Sequence, residues 1–234
     1  MSFKAKIDFC GLADGTHIVL KSHDEGRSST TVTCPNDEGD TIDTTTVGHV
    51  IDPSNDYALK ADLTDFDIVL GSVKTVNLGT TQSPNNHYFA LKSVSINTSN
   101  SGDVSISAQA EEVASATAAR TYTITLALLK CRQKAQILNS LFTLSGEKVH
   151  LQSANYTFSI DITQTTIDGE RVTSDPYNGR IECALTAKQA GTAAPTVAAG
   201  TGCVITSDAT ESRPDSDYAS VSATVTKYLT ADTE

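Results

Sequence analysis

The 234-residue sequence predicts an all-β, mainly antiparallel protein: two related β-barrel or sandwich units joined by one central helix. Three observations carry that expectation. Thr, Ser, Val and Asp are plentiful while the apolar fraction is a modest 38%, a mixture that suits strands and turns better than helices. Apolar residues mostly alternate with polar ones, the two-residue period of a strand with one buried and one wet face. One stretch, Leu128–Phe142, breaks the habit with helical spacing.

The chain opens on an alternation, with Phe3, Ala5, Ile7 and Phe9 set between Lys4, Lys6 and Asp8. A glycine turn at 11–15 leads into Thr16–Lys21, and a second strand-like run at Thr30–Cys34 ends in the acidic turn Pro35–Asp40, so a long hairpin with a charged tip is expected. Tyr57–Leu63 and Asp67–Val76 read as further strands. Phe89–Asn97 and Val104–Gln109 flank the turn cluster Thr98–Asp103 and form a second hairpin. The first half closes on the β-branched alternation Thr121-Tyr-Thr-Ile-Thr-Leu126.

Within the predicted helix, Leu128, Cys131, Ala135, Leu138 and Phe142 recur at steps of three and four and form an apolar stripe facing a core. A second line, Lys130, Lys134, Ile137 and Leu141, is basic at its start and apolar at its end. A helix lying on one sheet has no use for that second apolar patch. It is covered either by a loop of the same chain or by another subunit.

Beyond the helix the sequence repeats itself. Gly146-Glu-Lys-Val-His-Leu-Gln-Ser153 echoes Gly15-Thr-His-Ile-Val-Leu-Lys-Ser22; the turn at Gly169 echoes that at Gly39; and Gly179-Arg-Ile-Glu echoes Gly48-His-Val-Ile. Ala184–Ala187 matches Ala58–Ala61 if the first copy carries about five extra residues around Asp52–Asp56, and Val94–Ser107 corresponds loosely to Val204–Val225. Echoes in the same order at similar separations indicate a divergent duplication with a domain-sized period. The expected units are residues 1–126 and 146–234, with 127–145 as the connecting helix.

Composition narrows the function. Residues 1–126 hold eight Lys or Arg against sixteen Asp or Glu, and residues 127–234 hold nine against twelve, which makes the net charge −11. Such a chain does not grip nucleic-acid phosphates unaided. No apolar run approaches the ~20 residues of a membrane span, and the N-terminal alternation lacks a hydrophobic signal core, so a cytoplasmic site of synthesis is expected. The cysteines, Cys10, Cys34, Cys131, Cys183 and Cys203, are odd in number and form no close pair. Reduced, buried thiols are expected in place of a disulfide framework or zinc site.

No nucleophile elbow, zinc-protease motif, phosphate loop or dinucleotide fingerprint occurs, so neither catalysis nor any metal or cofactor is expected. The acidic turn at Asp37, Glu38 and Asp40 lacks the alternating ligand order of a calcium loop and reads as a solvated tip or docking surface. With no Trp and 6% aromatic residues, a carbohydrate platform would have to rest on Tyr88, Tyr156, Tyr177 and Tyr218.

The paired units Gly15–Leu63 and Gly146–Lys188, the intervening segment Lys134–Phe142 and the terminal strand Val221–Leu229 resemble, in architecture, the tail tube and tube-like baseplate proteins of long-tailed phages and related injection machines. The resemblance implies a subunit made in the host cytoplasm that joins sheet edges into rings. The rings would stack into a virion tail tube, meet other tail or capsid proteins, and pass DNA without binding it. An acidic wall suits that passage, because it repels phosphates and offers no counterion-release sink. A duplicated subunit departs from the single-unit pattern of that family. The alternative is a capsid decoration protein or a surface-binding, adhesin-like sandwich. Under the tube reading, self-association is expected through Lys130, Lys134, Ile137 and Leu141, with Asp37, Glu38 and Asp40 facing the two lysines.

Overall fold

In the computed structural model, alternation becomes strand pairing throughout, over the residues that the structure describes: 18–35, 41–59, 62–77, 85–98, 104–129, 134–135, 141–167, 170–212 and 218–232. The strands are β1 (Ile18–Pro35), β2 (Thr41–Leu59), β3 (Leu63–Leu70), β4 (Val73–Asn77), β5 (Asn86–Thr98), β6 (Val104–Val113), β7 (Tyr122–Leu129) and β8 (Lys134–Ala135). They continue with β9 (Phe142–Ser145), β10 (His150–Ile167), β11 (Glu170–Ala190), β12 (Thr196–Ala199), β13 (Cys203–Ser212) and β14 (Tyr218–Tyr228). A nine-stranded antiparallel sheet runs in the order β1-β2-β6-β5-β10-β11-β14-β13, with β4 on the flank of β5. Two small sheets, β3-β7-β8 and β12-β9, complete a sandwich-like, all-β fold. Among the described residues the large sheet has two ends and does not close into a barrel.

Its order is one four-strand pattern written twice. A long hairpin, β1-β2, is followed by the second hairpin with its later strand inward, β6-β5; then come β10-β11 and β14-β13 in the same arrangement. The registers agree in detail. A shift falls between Leu20 and Ser22 in the first long hairpin and between Leu151 and Ser153 in the second, the two positions of the shared Leu-x-Ser echo. In the short hairpins it falls between Leu91 and Ser93 and between Ile205 and Ser207. Both coincidences hold in a single frame, in which Tyr57, the partner of Leu20, matches Ala187, the partner of Leu151. The same frame lays the buried series Val104, Ile106, Ala108 and Ala110 on Ala219, Val221, Ala223 and Val225.

This frame corrects one detail of the sequence comparison. Strand pairing aligns Ala187 with Tyr57, four positions before Ala61, so no five-residue insertion is needed near Asp52–Asp56. What lies there is a register shift opposite Asp24 and Gly26. Small side chains recur often enough in both strands for a short Ala-Leu match to slide along the ladder.

The core lies between one face of the large sheet and the β3-β7 pair. Ala154, Tyr156, Phe158 and Ile160 of β10 and Ile181, Cys183 and Leu185 of β11 meet Phe66, Ile68, Leu70, Tyr122, Ile124 and Leu126 in one buried cluster. Burying each large side chain contributes about 1.5–3 kcal/mol. Register shifts keep this face apolar: Phe89 and Leu91 precede the shift in β5 and Val94 and Ile96 follow it, yet all four are buried although the spacing changes from two to three. The chain end is fastened to β7, where the hydroxyls of Thr121 and Thr123 donate to Asp232 at 2.9 Å and the Asp232 amide donates to the Thr121 carbonyl at 2.8 Å.

The helix expected over Leu128–Phe142 is corrected at Leu128, Leu129, Lys134, Ala135 and Phe142, which are strand, whereas Leu141 is helical. Leu128 and Leu129 end β7 and pair with Ala135 and Lys134, and Phe142 opens β9. Tyr122, Ile124 and Leu126 are buried while Thr123 and Thr125 are exposed, so a two-residue period leads into Leu128. Leu128 fits helical and strand spacing alike, and pairing with β3 decides for the strand. Residues 130–133 and 136–140 lie outside the described residues.

Candidate functional site

Buried reactive groups are the first place to look for chemistry, and the principal one is inert. Cys183 and Tyr156 face each other across the β10-β11 ladder inside the core. Burial pushes the Cys183 thiol up to about 12, and burial, then the neighbouring thiol, push the Tyr156 hydroxyl far above its ordinary range. A thiol held protonated is no nucleophile at neutral pH. Cys183 and Cys203 are both free, and among the described residues no three His, Cys, Asp or Glu gather as a metal site. Nor is any helix among them long and apolar enough to cross a membrane.

The densest polar arrangement sits where the second unit meets the first. Ser93–Thr98 of β5 pairs with Ala154–Ser159 of β10, and this ladder is the seam between the two units. Past Ser93 the flank of β5 is taken by β4, and β10 continues alone with β11 as a hairpin. Its outer part is clamped to β5 and β6. Glu112, buried at the end of β6, accepts from Arg171 of β11, while His87 Nδ1 stands 2.5 Å from its other oxygen. Gln164 of β10 donates to Glu111 at 2.6 Å and to the Glu112 carbonyl at 2.9 Å, and accepts from Arg171 Nε at 2.7 Å. Lys92 donates to Glu111 at 2.6 Å. Ser174 accepts from the Ala114 amide at 3.0 Å beyond the cluster. Both carboxylates, Glu111 and Glu112, already hold a cation or an amide, and the cluster fastens the hairpin.

The second unit carries the same positions without the clamp. Lys92, at the register shift of β5, corresponds to Thr206, and Glu111 corresponds to Thr226, whose hydroxyls lie 3.5 Å apart. Ala90 and Leu91 are buried beside β4 and the turn before it, whereas their counterparts Val204 and Ile205, with no flanking strand among the described residues, are 49% and 37% exposed. All of β13 from Val204 to Thr210 is exposed, and among the described residues no strand pairs with its outer edge. The outer edge of β1 is likewise free among the described residues. The candidate site is therefore a pair of surfaces, the two ends of the large sheet.

The residues expected to form a subunit contact are not brought together. Leu141 is fully buried in the chain's own core and its carbonyl accepts from the Gly200 amide at 2.8 Å; it is not available to a neighbour. Lys134 lies in β8, whereas Lys130, Ile137, Asp37, Glu38 and Asp40 lie outside the described residues. Of the four tyrosines considered for a carbohydrate platform, Tyr156 belongs to the core and Tyr88 is half-buried, leaving Tyr177 and Tyr218 exposed. Sequence reasoning missed the clamp because its members, His87, Lys92, Glu111, Glu112, Gln164 and Arg171, are ordinary polar strand residues brought together only by the crossing of the units. The echo between units was the available signal, since it marks which edges are equivalent. No protein-family model matches the chain, and no curated protein matches its sequence.

Proposed function

We propose that this chain is a structural, self-assembling subunit without a catalytic step, and more narrowly a tail tube subunit whose rings stack into a DNA-conducting tube. One observation carries the reading: a four-strand unit occurs twice, the copies are joined by an edge-to-edge seam, and the surfaces equivalent to that seam recur at both ends of the sheet. A fold whose units already join side by side within one chain has the means to continue between chains. The net charge of −11 fits a wall past which phosphates slide without being held.

A capsid decoration or surface-binding sandwich is the second reading, favoured by the polar residues of the outer strands, Asp24, Glu25, Asp208 and Glu211, which protect an edge from indiscriminate pairing. Light scattering and negative-stain electron microscopy of the purified chain separate the two. Rings or tubes growing with concentration support the tube subunit. A monomer at all concentrations overturns it in favour of docking on a preformed shell.

A further inference from the structure

We infer that the outer face of the large sheet, turned away from the core, carries a binding site for a neutral saccharide, built on Tyr177 and Tyr228 around a hydrogen-bonded group of Asp161, Asn178 and Arg180. The inference rests on the surface-binding reading and needs no assembly into tubes. Ile160, Ile181 and Val225 are buried in the core cluster, so their neighbours along each strand, Asp161 and Arg180 among them, lie on the opposite face. Tyr177 pairs with Asp161 and Tyr228 with Arg180 across adjacent ladders. Asn178 and Arg180 donate to Asp161 at 2.7 and 3.0 Å, which brings the five residues together on that face. The two tyrosines are 43% and 60% exposed. Their registers set them about 7 Å apart along the strands and about 4.8 Å apart across them.

The open bonding positions select the ligand. Both donors reach Oδ2 of Asp161, so among the described residues Oδ1 remains an open acceptor. Arg180 uses Nη1 toward Asp161 and turns Nε toward Glu182 at 3.9 Å, so Nη2 remains an open donor beside it. An acceptor next to a donor complements a vicinal diol, whose hydroxyls each give and take a hydrogen bond, and bonds to charged partners are the stronger kind. The exposed tyrosine rings offer electron-rich faces to the C–H side of a sugar ring. Charge argues against an anionic ligand. Arg180 is balanced by Asp161 and Glu182, and Lys92, whose charge also reaches Asp161, is held by Glu111 at 2.6 Å, so neither cation is spare for a phosphate or sulfate. The group is also set in advance. Asn178 holds a left-handed φ of 56°, Gly179 lies against the Tyr122 ring, and the Leu229 amide donates to the Gly179 carbonyl at 2.8 Å, which fixes the backbone of Tyr228 beside Arg180. Such preorganisation lowers the ordering cost of binding.

The test is an array of neutral glycans built from hexoses, N-acetylhexosamines and deoxyhexoses, printed beside sialylated and sulfated ones, followed by calorimetric titration of the neutral oligosaccharide retained most tightly. Neutral glycans are expected to bind, and Tyr177→Ala and Tyr228→Ala are each expected to weaken that binding about five- to tenfold, the loss for a truncated aromatic anchor. Thermal melting checks that each variant keeps its fold. Tyr218→Ala is the control and is expected to change nothing, because Tyr218, 55% exposed, lies at the far end of β14, roughly 33 Å from Tyr228. Equal loss in all three variants, or loss in none, overturns the site. Retention of sialylated or sulfated glycans alone overturns the ligand class. Self-association that Tyr177→Ala and Tyr228→Ala abolish, read by light scattering, makes the face a contact between copies and overturns the saccharide. A monomer that retains no neutral glycan overturns the site and leaves the surface-binding reading standing; rings or tubes that retain none overturn both.

Discussion

Replacing Leu141 with alanine separates a core residue from an interface residue by its dependence on concentration. Leu141 is 0% exposed and packs in the central cluster beside Phe142. The substitution removes three carbons, which at ~0.8 kcal/mol each is about 2.4 kcal/mol of lost burial, and the residual cavity raises the cost to about 3 kcal/mol. At roughly 2–4 °C per kcal/mol for a chain of this size, the melting temperature is expected to fall by about 6–12 °C. Circular dichroism melts at two protein concentrations tenfold apart are the assay. Because the leucine is buried within its own chain, the fall is expected to be equal at both. A loss below 1 kcal/mol, or one that shrinks as concentration rises, would refute the placement and return Leu141 to a contact between subunits.

Two further outcomes follow from the polar seam and from the buried thiol. Glu112→Gln leaves Arg171 and His87 without their anion and is expected to cost about 1–3 kcal/mol; trypsin should then cut after Arg171 several-fold faster, and an unchanged rate would show that the clamp does not restrain the hairpin. Cys183 has its folded pKa raised to about 12, so above the ordinary thiol range the unfolded chain loses this proton while the folded chain keeps it. Stability therefore falls as pH rises from about 9 toward 12, and Cys183→Ala is expected to flatten that part of a urea-denaturation pH profile; an unchanged slope would count against the assignment.

The strand class was readable because alternation is a local signal, and the duplication because glycines and small residues mark places where the backbone has little choice. Gly179 shows why. It lies in a bulge of β11 where two residues oppose Ile160, Asn178 takes a left-handed φ of 56°, and a Cβ on Gly179 would stand 2.4 Å from the Tyr122 ring. Only glycine lets the ring approach, so the echo with Gly48 was visible without knowing its cause. Asn178 donates to Asp161 at 2.7 Å and, with Arg180 at 3.0 Å, holds that carboxyl below its usual range. The expected helix was drawn into β7 because Leu128 satisfies two periods at once, and Leu141 was assigned outward because spacing alone does not tell which of two apolar lines meets the core. The seam was beyond sequence reading, since which strand edges meet depends on the order of eight strands across the sheet.

The contrast between the internal seam and the free edge of β13 fits a division of labour between folding and the proposed assembly. Within the chain, the buried side of the ladder is apolar, with Val94 against Phe158 and Ile96 against Tyr156, so the two units are committed to each other once they fold. At the equivalent positions the free edge of β13 carries Asp208 and Thr210, both exposed. A strand edge of this polar kind resists indiscriminate pairing, so under the proposed self-assembly a single junction there is weak and reversible. A weak heterologous junction is stabilised when its rotation closes, because a ring leaves no free end. Apolar outer strands would join during folding, before register could be corrected; under the proposed self-assembly a polar edge lets each chain fold first and select its neighbours afterwards.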